Sequence, residues 1–122
     1  MLNLELRAGI LIGWITVITG GLQIIIPSNI LPIIGVTPDP VNMQLLGTVG
    51  MFMMLFGAAS IRAIHHPEEA AIVLFWSGCQ KIGAVLLMAW GVYKGVFSPL
   101  ALMVASFDFA SGLLYFHLRN KL

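Results

Sequence analysis

Charge is what this chain has least of. Of its 122 residues, only 9% are Asp, Glu, Lys or Arg, against about 25% in an ordinary soluble domain. A small water-soluble domain leaves a large share of its surface facing solvent, and this composition cannot cover such a surface. The formal net charge is +1, with no Lys/Arg cluster, so a basic face for nucleic acid is excluded. A lone cysteine, Cys79, rules out an intramolecular disulfide and a cysteine metal cage. No GxSxG, HExxH, Walker or GxGxxG signature stands in a fitting context. Nothing assembles a nucleophile, a base and an oxyanion site, so we expect no catalytic residue, no metal, no cofactor and no enzymatic activity. No small-x-small cleavage site closes the first apolar run, which is also too long for a signal-peptide core; we read it as a retained helix.

What is present is apolar. Hydrophobic residues make up 59% and the mean hydropathy is +0.98. A spanning helix needs about 20 mostly apolar residues, and Pro, Gly and charge cut the chain into four such stretches: about 6–26, 40–64, 67–93 and 99–118. Pro40, Pro67 and Pro99 suit first helical positions, where a missing N–H costs nothing. Asp39, His66 and Ser98 precede them as candidate N-caps. Glu68 and Glu69 fall in a first turn, where the helix dipole favours acid. The links at His65-His66 and at Lys94–Ser98 are short and imply antiparallel neighbours. The first link, PSNILPIIGVTPD from Pro27 to Asp39, is apolar and proline-rich. It belongs in the membrane interface or folded back on the bundle, as an ordinary loop or as a re-entrant element lining a cavity.

The fold class expected is therefore all-α: an antiparallel bundle of four transmembrane helices forming one integral membrane domain over residues 1–122. Basic residues near helix ends set orientation. The side holding both termini and the second link carries Arg7, Arg62, Arg119 and Lys121; the other carries Lys94 and Asp39. Both termini are expected in the cytoplasm, with the protein in a bacterial inner (cytoplasmic) membrane.

Helices in lipid associate through small residues and a few polar contacts. The first helix carries Gly9, Gly13, Thr16, Gly20 and Gln23 along one stripe, with Gly9 and Gly13 as packing candidates. The second shows Gln44, Thr48, Met51, Leu55, Ala58 and Arg62. The third shows Ser77, Lys81 and Ala84, flanked by Gly78 and Cys79. The fourth shows Ala101, Ala105, Asp108, Ser111, Gly112 and Tyr115, Ala101 and Ala105 being its packing candidates. Met51, Met53 and Met54 fall on different faces, as lipid contact and packing require and a thioether metal cluster does not. Trp14, Trp76, Trp90 and Tyr93 serve in part as interface anchors, Trp90 and Tyr93 near one end of the third helix.

Lys81 and Asp108 are the informative pair. A charge at the bilayer centre costs roughly 2.5–3.5 kcal/mol on insertion scales. Counted from the short link between their helices, the two differ in depth by about 6 Å at 1.5 Å per residue, which a lysine stem covers. We expect a Lys81–Asp108 ion pair facing inward, with Ser77, Gln80 and Ser111 as candidate further partners. Two roles stay open: a polar site for a head group, a proton or a partner's side chain, and a clamp fixing the register of helices three and four. His65, His66 and His117 share one rim with no Cys or Asp beside them, and are read as solvated.

The layout resembles the small four-helix DoxX-like superfamily, including relatives of the DUF4345 type. The carriers are the first helix ending at Pro27 with Pro32 and Gly35 after it, and a glycine-rich second helix ending in Arg62. A small-residue third helix follows, then Gly95-Val96-Phe97-Ser98-Pro99 opening a fourth helix with Asp108 inside it. The turn His65-His66-Pro67-Glu68-Glu69 stands where those proteins often have a short polar Asp-Pro turn. The resemblance implies a four-helix bundle and, by analogy with some members, an accessory subunit of a quinone-linked membrane oxidoreductase. It supplies no catalytic residue to carry over.

Two functions are therefore expected. One is a non-catalytic accessory or scaffold subunit of a larger membrane complex, in contact with lipids, other transmembrane subunits, a quinone or a pigment. The other is a small binder or carrier of a lipid-soluble molecule, held near Lys81, Asp108 and Gln80.

Overall fold

A computed structural model describes residues 2–122. The described chain is all helix and turn. Four helices are long and apolar enough to cross a membrane: α1 (Leu2–Ile25), α3 (Pro40–His65), α4 (Pro67–Tyr93) and α5 (Ala101–Lys121). A short helix, α2 (Pro27–Ile30), and a 3-10 turn (Leu31–Ile34) fill the first link. The outward faces are rows of exposed large apolar side chains, such as Leu11, Ile18, Phe52, Ile72, Leu87 and Met103. With water as solvent those rows would be costly; with lipid they are the natural surface. The chain thus has the build of an integral membrane protein.

The helix limits follow local chemistry. Asp39 caps α3, its carboxylate accepting from the Asn42 N–H at 2.8 Å. His66 forms no side-chain cap on α4. The expected start of the last helix at Pro99 is corrected to Ala101. The N–H groups of Ala101 and Leu102 bond back three residues, to the carbonyls of Ser98 and Pro99, so the chain first makes a tight turn. Ser98 is not a cap either. Its N–H donates to the Ile34 carbonyl at 2.8 Å and its hydroxyl to the Ile33 carbonyl at 3.1 Å. These bonds tie the first link to the last. Gly35 makes the tie possible: it adopts φ +79, a left-handed conformation that disfavours side chains, and a Cβ there would press on Ser98. The first link is therefore folded back, with Leu31 buried beneath it.

Helices α1 and α3 pack closely, as do α4 and α5; α3 with α4 and α1 with α5 meet less extensively. Gly9 lies against Ile64 and Leu118, Gly13 against Ile61 and the Gly57 carbonyl, and Gly20 against the Gly50 carbonyl. Ala101 and Ala105 are buried on α5. The stripes read for α1 and α5 are the buried faces of those helices. The stripe read for α3 needs correction. Gln44, Thr48, Met51, Leu55, Ala58 and Arg62 are exposed, and the inner face is Gly50, Gly57, Ser60, Ala63 and Ile64. Glycine wins that face because only a missing side chain lets two helix backbones approach so closely.

Candidate functional site

Three polar residues of the core, Thr16, Lys81 and Asp108, meet near the middle of their helices. Lys81 sits near the centre of α4 and is 2% exposed; Asp108 on α5 is 8% exposed. Their charged ends lie 3.4 Å apart. The shorter contact is to a third helix: Lys81 Nζ donates to Thr16 Oγ1 on α1 at 2.8 Å. Thr16 in turn donates to the Ile12 carbonyl at 2.8 Å. The hydroxyl is thereby held with its lone pairs toward the ammonium. Phe107 completes the surround, its ring centroid 5.5 Å from Lys81 Nζ, within cation–π range. One lysine thus joins α1, α4 and α5.

The other expected partners do not reach this centre. The Ser77 hydroxyl hydrogen-bonds Ser60 across the α3–α4 seam at 2.7 Å. Ser111 donates to its own helix at the Phe107 carbonyl, at 2.7 Å. Gln80 Oε1 is buried without a hydrogen-bond partner, as are Gln23 Oε1 and the Tyr115 hydroxyl. Ser77 and Ser111 are one turn removed from the charges and satisfied elsewhere. Thr16 is the partner that sequence reasoning passed over, although it lies on the stripe read for the first helix. Its pairing spans 65 residues, and only the packing of α1 beside α4 and α5 reveals it.

Beside the pair the bundle opens. A cleft of about 300 Å³ is walled by Ile15, Thr16 and Thr19 of α1 and by Met103, Val104, Phe107 and Asp108 of α5, and lined also by Met53 and Lys81. Ile15, Met103 and Val104 are exposed on the lipid-facing surface, so the mouth faces sideways. At one end α1 and α5 are clasped by a contact of 3.2 Å between Glu5 and His117, and Leu118 packs on Gly9. The cleft lies farther along, between Thr19 and Met103.

The rims carry less chemistry. Arg62 meets Glu69 through two hydrogen bonds, at 3.0 and 3.1 Å, and Arg119 donates to the Ala71 carbonyl. His65 contacts the Ile61 carbonyl, His66 lies near Glu68, and His117 lies near Glu5. The three imidazoles therefore go to three different partners, and among the described residues no group of His, Cys, Asp or Glu could hold a metal ion. Trp90 and Tyr93 stack with centroids 5.9 Å apart, both exposed near the end of α4.

No protein-family model, curated protein or solved structure matches the chain. Its functional reading rests on this geometry.

Proposed function

We propose that this chain is a non-catalytic membrane protein that binds a lipid-soluble molecule between α1 and α5, at the Lys81–Asp108 pair. One observation carries this: a buried ion pair forms part of the wall of a cleft whose mouth faces the lipid. A pair serving only as a clamp is best packed on all sides, since protein interiors are close-packed with few voids. Ligand sites, in contrast, are mostly apolar hollows with a few polar groups at one end. The helices run antiparallel in this reading, supported by the order of contacts along α1 and α3: Gly9 with Ile64, Gly13 with Ile61, Gly20 with Gly50. Both termini face the cytoplasm across a cytoplasmic membrane, on the balance of Arg7, Arg62, Arg119 and Lys121 against Lys94. A C-terminal reporter active only in the cytoplasm checks this; activity solely on the opposite side overturns it.

The binding test is retention. The protein, extracted in mild detergent, is delipidated by washing and its remaining small molecules identified by mass spectrometry. We expect one apolar molecule held near stoichiometric amount by the wild type and lost from the Lys81→Met/Asp108→Leu variant. Equal retention by both, or none by the wild type, overturns the proposal. A second reading, an accessory subunit related to the DoxX-like proteins, draws on the near absence of polar mass outside the helices among the described residues. Stable co-migration with other polypeptides on a native gel supports it.

A further inference from the structure

The cleft also constrains the head group it would receive. Lys81 Nζ has three donors when protonated, and two are directed to Thr16 Oγ1 and Asp108 Oδ1. The third has no hydrogen-bond acceptor; its neighbour is Phe107, a cleft wall whose ring centroid is 5.5 Å from Nζ. Asp108 engages Lys81 through Oδ1 only, which leaves Oδ2 as a free acceptor. The site therefore offers one donor and one acceptor side by side, with the Thr19 hydroxyl on the same wall.

Charge narrows the choice further. As an ion pair, Lys81 and Asp108 sum to zero. A carboxylate or phosphate head drawn to Lys81 would face Asp108 at almost the same distance, and an ammonium drawn to Asp108 would face Lys81. Either would bring a net charge into a low-dielectric centre that has none to offset it. Size gives the third limit. A volume of about 300 Å³ is at the lower limit of ligand pockets, enough for the head group while the chain stays outside.

Resting on the binding reading above, we infer that the cleft takes an amphiphile with an uncharged head carrying both a hydrogen-bond acceptor and a hydroxyl, its chain lying in lipid along Ile15, Met103 and Val104. The acceptor meets the remaining Lys81 N–H, and the hydroxyl donates to Asp108 Oδ2. A glycerol ester has this chemistry; a fatty acid and a fatty amine do not.

Four probes with one common chain separate these cases: glycerol monooleate, methyl oleate, oleate and oleylamine, added at equal mole fraction to the full chain in a nonionic detergent, with Tm as the readout. Stabilisation by a ligand that binds only the folded state follows from linkage. Glycerol monooleate should raise Tm by several degrees. Methyl oleate, which accepts but cannot donate, should give less than half that shift, and the two charged probes none. Val104→Trp fills the mouth while keeping both members of the ion pair, and should abolish the monooleate shift, as should Lys81→Met/Asp108→Leu. If oleate or oleylamine stabilises the wild type as well as monooleate does, and Val104→Trp removes the effect, the uncharged head is wrong while the binding reading stands. If methyl oleate equals monooleate, the hydroxyl requirement is wrong. If every probe shifts wild type and Val104→Trp equally, the inference and the binding reading fall together.

Discussion

The two seams that α1 makes are built on opposite terms. Against α3 it presents glycine to glycine: Gly20 and Gly50 each lie on the other's carbonyl, and Gly13 lies on the Gly57 carbonyl. No side-chain hydrogen bond or ion pair joins the two among the described residues. Against α5 it presents polar groups, Glu5 to His117 at one end and Thr16 to Asp108 through Lys81 at mid-depth, and beyond Thr16 it presents a gap. A backbone-to-backbone seam has no adjustable parts, because packed surfaces of this kind forfeit attraction with any small separation. A seam held at two polar points is free to open beyond the second. In the binding proposed above, the α1–α3 pair is the fixed frame and the α1–α5 seam the point of entry from lipid.

The sharpest way to break this contrast is to remove the charge at the centre of the open seam. Lys81→Met leaves Asp108 buried without its cation and Thr16 without its donor, and should cost about 3–5 kcal/mol, the range seen when one member of a buried pair is lost. Adding Asp108→Leu removes the stranded carboxylate and should restore part of that loss. Thermal unfolding in detergent measures both. Additive losses in the double variant would mean that the two charges act independently, and the open seam would have no polar centre.

How much of this could be read from the sequence depended on which physical rule governed each residue. The spans were legible because lipid demands apolar length, and the inner faces of α1 and α5 because small and polar residues recur there at helical spacing. The meeting of Lys81 and Asp108 follows from depth, since two helices joined by a short link place their residues at countable heights. The face of α3 is misleading in sequence because Gln44 and Arg62 are polar but lie near the helix ends, and Thr48 turns its hydroxyl back to the Gln44 carbonyl. The glycines that define its true seam carry no polarity to signal a direction. Thr16 as the closest partner of Lys81, and the cleft beside it, come from how helices distant in sequence pack in space. No local pattern encodes that arrangement.

The closed seam is tested by adding a single methyl group. Gly50→Ala puts a Cβ on the Gly20 carbonyl and within 2.9 Å of Gln23 Cβ. Backbone must move to admit it, and overpacking of this kind costs about 1–3 kcal/mol. The matched control is Gly83→Ala on α4, where an added Cβ meets nothing within 4 Å. There the change removes only the conformational freedom of glycine in a helix, so stability should rise by up to about 1 kcal/mol. Opposite signs in the two unfolding curves would show that glycine on α3 is required by contact with α1, whereas glycine at 83 is not required by packing. Equal and small effects at both positions would mean that α1 and α3 have room to separate, and the distinction between a fixed seam and an opening one would be lost.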